Sequence, residues 1–503
     1  MMNNLRARFP RAVPSCLTAV LFLAGLAGAD TVTVAVGDNI QSAVNANPGT
    51  TVFVLEQGTH RLQSVEPKSG NTFIGEYGAI MSGARVLEDW QQDGGRWYHD
   101  GQTQENPEGS GCTDDYPACI YPEDLFMDNE FLKQVLSLGA VGPGTWYFDY
   151  ANDRVYMGDD PGEHTMEIGV TMHAFHSESA ENVTIRNLVV EKYAVRSQFG
   201  AIQYDPGSGS GWQDKPGGWI VEDCELRYNH GAAVYLTGIC KIAGCYVHHN
   251  GQIGIKVRGG LTVNLATQDA HPEYFSPHSL LGSGSLVHGN EICYNGYQGY
   301  SGGWEAGGTK FMWTDSLVIR SNYAHHNHGS GLWCDLSNVH VLYEGNLAEH
   351  NTHQGIFHEV SDTAVIRCNV CRDGGTYEWP RWLYNGQLSV SASRNVEVYN
   401  NVVEVHESYG NGIAIINQPF RYDPDQDGFH SEWTDRGIYA MAYNIYVHDN
   451  HITHDGNSGA NGVVCDGGEA QRNHFWANNE ILFDRNAYHV PSDAGVFWQW
   501  NGG

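Results

Sequence analysis

The chain has 503 residues, with 58 Asp+Glu against 27 Lys+Arg, a net charge of −31 and 61 Gly. A field of that sign repels nucleic acid and anionic membrane surfaces at long range, so neither is an expected partner. Length and aromatic content exclude a disulfide-stapled miniprotein and a disordered acidic tail; few charges, much Gly and little helical periodicity read as all-β.

Residues 1–29 carry Arg6, Arg8 and Arg11, an apolar stretch over 12–26 and then Ala27-Gly28-Ala29. This is the pattern of an export signal with its cleavage site, which predicts an exported protein, periplasmic or extracellular, with no membrane attachment after cleavage. A retained anchor is disfavoured, because Asp30 already begins a polar strand pattern. Residues 30–88 read as an N-terminal cap and first coils, in which the amphipathic segment NIQSAVNANPG plugs an open end. Residues 89–170 do not repeat. They hold Trp90, Trp97, Trp146 and the strand-like WYFDYANDRVYM, and read as a small β-rich insertion. Cys112 and Cys119 flank a polar loop and are the best disulfide pair for an oxidising compartment.

From about residue 180 one unit recurs: alternating apolar residues, Asn-x-Φ-x-x-Asn, a few polar residues and Gly-Φ. It reads CELRYN from Cys224, CYVHHN from Cys245, NEICYN from Asn290, NYAHHN from Asn322 and NLAEHN from Asn346. The shortest spacings, 21, 24 and 23 residues, give the bare coil, and longer ones add a loop. Three short strands per coil with an Asn at the bend predict a right-handed parallel β-helix over 171–503, each coil burying its apolar face against the next. The recurring pairs His248-His249 and His325-His326, with His350, read as stacked imidazoles at a turn. Cys368-x-x-Cys371 reads as buried thiols in the β-core rather than half a zinc site.

Aligning the coils on their Asn brings AVYLT, IKVRG, TKFMW, LWCDL, IFHEV and LSVSA into register. Period-2 alternation then points Ile255, Val257, Phe311, Leu332, Cys334, Leu336, Ile356, His358 and Val360 inward. Two columns face outward: Tyr235, Lys256, Lys310, Trp333, Phe357, and Arg258, Met312, Asp335, Glu359. Asp335 and Glu359 should stand about 5 Å apart at the backbone. The alternative is a solvated ion-pair ladder. Insertions over 259–284, 299–308, 374–384 and 417–437 fall beside this strand and bear Tyr274, Trp304, Glu305, Trp379, Trp382 and Trp433. They predict a walled groove for a polysaccharide or oligosaccharide, the alternative being that some of these Trp only anchor their own loops. Lys256, Arg258, Lys310, Trp333, Phe357, Trp304, Trp379 and Trp382 would contact sugar, with His328 and His353 at the rim.

Two carboxylates about 5 Å apart suit a retaining glycosidase. Asp335, with Arg258 in its column, is the expected nucleophile. Glu359, beside Phe357 and a repelling carboxylate, should have a raised pKa and act as acid/base, and the residues alone also allow the two roles to be swapped. Asp423, Asp425 and Asp427 followed by Gly428 match the first half of a calcium loop, but Thr434 stands where the bidentate Glu belongs.

The run GSGLWCDLSN…HQGIFHEVSD resembles the secreted right-handed β-helix proteins that include glycoside hydrolase families 120 and 141. That resemblance implies an Asp nucleophile and a Glu acid/base on neighbouring coils, as in the β-xylosidases of family 120, and Asp335 and Glu359 match it. The Trp-rich early insertion is similar too. A glycosidase of this kind requires no cofactor. The runner-up is a polysaccharide lyase or epimerase acting on uronates, with Lys256 or Lys310 as base and Arg258 plus calcium as charge neutralisers. A non-catalytic glycan-binding solenoid is the third reading. Sugar, linkage and oligomeric state are not legible in the sequence.

Overall fold

The computed structural model describes residues 30–105, 109–207, 217–259, 284–377, 383–419, 441–491 and 495–500. Residues 1–29, read as an export signal, Asp423, Asp425 and Asp427, read as half a calcium loop, and Tyr274, Trp379, Trp382 and Trp433 lie outside the described residues.

The chain winds as a right-handed parallel β-helix. Among the described residues its three walls are parallel sheets of 13, 12 and 11 strands, and successive strands go to different walls. The first wall runs from Asp30–Val34 to Ile481–Asp484, the second from Gly58–Arg61 to Ala487–His489, and the third from Phe175–Ser177 to Trp498–Trp500. One continuous apolar core fills the interior, in which Phe53 stacks on Phe73 at 5.1 Å and Phe73 meets a tilted Phe175 at 4.8 Å. Each such ring contributes about 1.5–3 kcal/mol by its burial.

The bends explain the repeated Asn. Residues immediately before it take left-handed backbone, among them His249 (φ 52°), Tyr294 (55°), His326 (53°) and His350 (54°). The following Asn turns inward and hydrogen-bonds its counterpart on the next coil: Asn229, Asn250, Asn295, Asn327 and Asn351 form one ladder with side-chain bonds of 2.9–3.0 Å. A second ladder runs from Asn290 through Asn322, Asn346, Asn369, Asn401 and Asn450 to Asn486. The carboxamide mimics a peptide group, so it satisfies backbone that the bend removes from the sheet. Outside the first ladder the rings of His249, Tyr294 and His326 stack at 5.0 and 5.1 Å, and His350 lies tilted 4.7 Å from His326. At Cys368-x-x-Cys371 the structure corrects the sequence reading. Cys371 is in the core, but Cys368 sits at a left-handed bend (φ 56°) and is exposed.

Both ends carry a short helix. Ile40–Ala46 is capped by the Asn39 side chain, which accepts from the Ser42 N–H at 2.7 Å, and it buries Ile40 and Val44 in the core. Seven residues are too few to hold a helix alone, so this burial holds it. The second, Glu469–Asn478, had no counterpart in the sequence reading. Only Phe475 of it is buried, so its apolar periodicity is weak.

The region after the first coils forms two small sheets. One joins Ala84–Val86, Leu125–Met127, Glu130–Phe131 and Met166–Gly169, and the other carries Arg96–Asp100, Thr145–Asp149 and Arg154–Met157. Their own core holds Trp146, Phe148, Val155 and Met157. Buried polar groups tie these sheets to the solenoid. Glu167 receives Lys192 and, at 2.6 Å, Arg61. His230 bonds Asp124 through Nδ1 at 3.1 Å and the Cys119 carbonyl through Nε2 at 2.7 Å.

Candidate active site

The third wall sets the register of the site. Lys256 pairs with Lys310 and Arg258 with Met312 on the strands Ile253–Arg258 and Gly307–Met312. Phe311 pairs with Cys334, and Cys334 with His358. Asp335 therefore follows Met312 in one outward column, and Glu359 follows Asp335, a parallel strand spacing of about 4.8 Å away. The columns continue with Ser389 beyond Phe357 and Ser391 beyond Glu359. Inward residues obey the alternation as far as the strands run, Cys334 and Ile356 entering the core. Leu336 and Val360 depart from it. Both are left-handed (φ 68° and 44°), and they pack with Ala392 in a small separate cluster instead of the main core. His358 does lie inside, its ring neutral because burial pushes its pKa down to about 3.

The outward columns are not open to solvent: Lys310 and Glu359 are each 4 % exposed and Asp335 6 %. Part of their cover is the loop over 299–308. Its Glu305 accepts from Lys256 at 2.7 Å and faces Lys310 at 3.5 Å, while Lys310 reaches Asp335 Oδ2 at 2.9 Å. Lys256 also bonds Gln198. The result is a buried alternating chain, Lys256, Glu305, Lys310, Asp335. Burial pushes Lys310 down, but Asp335 and Glu305 outweigh it and hold the ammonium above its usual range. Burial pushes Glu305 up, and Lys310 and Lys256 overcome it, keeping the carboxyl below the usual range. At Lys256 burial wins and the ammonium is held below the ordinary lysine value despite Glu305. The cation against Asp335 is thus Lys310, one strand away. Arg258, two strands away, lies 4.2 Å over the Trp313 ring with a nitrogen 3.4 Å from the Tyr235 hydroxyl.

Several polar atoms here have no hydrogen-bond partner although they are buried: Asp335 Oδ1, Trp333 Nε1, Ser389 Oγ and Ser391 Oγ. Four on one stretch of one wall is a concentration that a purely structural face would avoid.

The aromatic residues sit differently from an open sugar platform. Trp333 and Phe357 stack on each other at 5.7 Å, both nearly buried, and Lys310 lies 4.1 Å over the Trp333 ring. Trp304 packs in the cluster of Cys112, Cys119 and Tyr300. A Cβ on Gly111 (φ 87°) would lie 1.9 Å from its ring, so glycine is required there. Cys112 and Cys119 are joined as a disulfide, so the staple bears on the loop that carries Glu305. His353 is buried beside Gly302 of that loop and stacks on Tyr377 at 4.7 Å; His328 is exposed.

Sequence reasoning placed Glu305 on a groove loop but gave it no role, and it missed Gln198, Ser389 and Ser391. The two serines were legible, since LSVSA was aligned with the other strands and its polar positions extend both columns. Gln198 was not, because it comes from a bend whose position only the fold reveals.

A family profile described as a right handed beta helix region matches residues 209–403, a stretch that holds Asp335 and Glu359. No curated protein matches the chain. Among solved structures it is similar to the complex of XylC with xylose, at 13 % identity and a TM-score of 0.57, covering 89 % of this chain and 82 % of that one. It is also similar to the A-module of the mannuronan C-5 epimerase AlgE4 of Azotobacter vinelandii, at 12 % identity and a TM-score of 0.49, covering 92 % and 94 %. A structure titled glycoside hydrolase aligns at 10 % identity and a TM-score of 0.41, covering 94 % and 97 %. At these identities the likeness is one of fold, and the class it defines is the right-handed parallel β-helix.

Proposed function

We propose that this protein is an exported carbohydrate-active enzyme that cleaves glycosidic bonds in a polysaccharide or oligosaccharide as a retaining glycoside hydrolase. The observation that carries this reading is the carboxylate pair on adjacent strands, with Lys310 on Asp335 Oδ2 and Asp335 Oδ1 left without a partner. Lys310 fixes the carboxylate, and Oδ1 attacks the anomeric carbon. Glu359 protonates the departing oxygen and then takes a proton from the water that releases the sugar. Trp333 Nε1, Ser389 and Ser391 supply hydrogen bonds to sugar hydroxyls, which would satisfy their buried polar atoms. The disulfide suits an oxidising compartment.

The test is a panel of neutral glycans and polyuronates, with and without chelator, read for new reducing ends and for the ultraviolet absorbance of unsaturated sugar. Reducing ends without the chromophore, lost in both Asp335→Asn and Glu359→Gln, are expected. A chromophore that survives Glu359→Gln and fails in Lys256→Ala or Lys310→Ala would overturn the hydrolase.

That second outcome belongs to a lyase acting on a uronate, whereas an epimerase would leave neither new reducing ends nor chromophore, and one observation favours either reading. Burial holds Lys256 below the ordinary lysine range, the direction that use of a lysine as general base calls for. In that chemistry Arg258 and calcium at Asp423, Asp425 and Asp427 would neutralise the substrate carboxylate.

A further inference from the structure

The second wall, away from the carboxylate pair, contains an arrangement that occurs twice with one change. In the first copy Glu225 and Arg227 share a strand, and the next strand brings Tyr246 and His248. His248 Nε2 lies 3.3 Å from Glu225, its Nδ1 lies 2.8 Å from His249 Nδ1, and Tyr246 stacks on it at 4.0 Å. In the second copy Glu291 and Cys293 share a strand, and the next brings Tyr323 and His325. The geometry repeats closely: 3.3 Å from His325 Nε2 to Glu291, 2.9 Å from Nδ1 to His326 Nδ1, and 4.0 Å to the Tyr323 ring.

The change is Arg227 to Cys293. Arg227 bridges Glu225 at 2.5 Å and Glu191 at 2.7 Å, so the first copy carries its own cation. The second copy puts a thiol in that place and leaves the carboxylate with His325. One donor atom each from Glu291, Cys293 and His325 lie within 4.8 Å of one another. A tetrahedral zinc ion holds such donors on the order of 3.5 Å apart, by its bond lengths. The ligands therefore need to close by roughly 1 Å, within reach of side-chain rotation.

We infer that Glu291, Cys293 and His325 bind one zinc-like divalent transition-metal ion, which takes the place that the Arg227 guanidinium holds in the first copy. The thiol, rather than a further carboxylate, selects zinc over calcium or magnesium. His325 would bind through Nε2 and donate its Nδ1–H to His326 Nδ1, a preformed outer contact of the kind that orients metal-bound imidazoles. The thiol releases its proton to solvent on binding. Burial and Glu291 push that thiol up to about 12 without metal, so the ion must supply the charge that makes the thiolate. Bound there, it would staple two coils on a wall that carries neither Asp335 nor Glu359.

The full chain, reduced and stripped of metal, would be titrated with cobalt(II). One saturable equivalent with a thiolate-to-cobalt charge-transfer band is expected. The band should vanish in Cys293→Ser, persist in Cys371→Ser, and need at least about tenfold more cobalt in His325→Gln. Cys293→Arg, which copies the first unit, should keep its circular dichroism and bind no cobalt. Absence of saturable binding, binding without the band, or a band that persists in Cys293→Ser would each overturn the site.

Discussion

Asn327 serves two coils at once. Its Oδ1 accepts from the backbone N–H of Asn295 at 3.1 Å and from the Asn295 side chain at 3.0 Å, and its Nδ2 donates to Asn351 and to the Ile292 carbonyl at 2.9 Å. Asn327→Ala strands two buried donors of Asn295, each worth about 1–3 kcal/mol. A loss of about 2–4 kcal/mol is therefore expected in urea denaturation, and a loss under about 1 kcal/mol would show that the ladder is not structural. Glu305 is the residue-scale test of the site. Its folded carboxyl titrates below the unfolded one, so the clamp stabilises the protein above the usual Glu range and fails as pH falls through the folded value. Lys310 titrates above its unfolded value, so its share is complete at neutral pH and is lost only as pH rises through the folded value. Lys256 has the opposite sign: its burial costs stability while it is protonated, and the cost is relieved as pH rises through its folded value towards the ordinary lysine range. Glu305→Gln should cost about 3–5 kcal/mol, the penalty for removing one partner of a buried ion pair. It should also flatten the acid limb of the stability profile. An unchanged acid limb would mean that the clamp does not govern it.

At the scale of elements, the disulfide and the loop over 299–308 act together. The staple closes a separation of 7 residues and is worth about 2 kcal/mol by loop-closure entropy. Replacing both Cys112 and Cys119 by Ser should speed amide exchange in 299–308 and lower activity, while the ladders keep their protection. Unchanged exchange in that loop would separate the staple from the site. The strands of the third wall were legible because their alternation is regular and their inward face is apolar. Leu336 and Val360 were not, because the chain bends into left-handed backbone at the end of each strand and alternation ceases to apply. Trp304 takes the loop-anchoring role left open for these tryptophans, but its partner, Gly111, was not legible because it is remote in sequence.

For the whole molecule, charge makes a prediction that separates the two readings of the site. With a net charge of −31, the field opposes a polyuronate at long range although the site carries Lys256, Arg258 and Lys310. Raising salt from 10 to 150 mM shortens the Debye length from about 30 to about 8 Å. The apparent KM for a polyuronate should therefore fall with salt, and that for a neutral glycan should hardly move. An equal response from both would place the repulsion elsewhere.

Periodicity in the sequence determined the solenoid, the inward and outward faces, the Asn bends and the adjacency of Asp335 and Glu359. Each follows from local repetition, because a stacked coil sees only its neighbours. Tertiary structure decided what repetition does not encode: that the loop over 299–308 covers part of the outward columns, that Glu305 ties Lys256 to Lys310, and that Lys310 rather than Arg258 holds Asp335. The Lys256–Glu305 contact joins positions 49 residues apart, and the strength of all three comes from the low dielectric that burial creates.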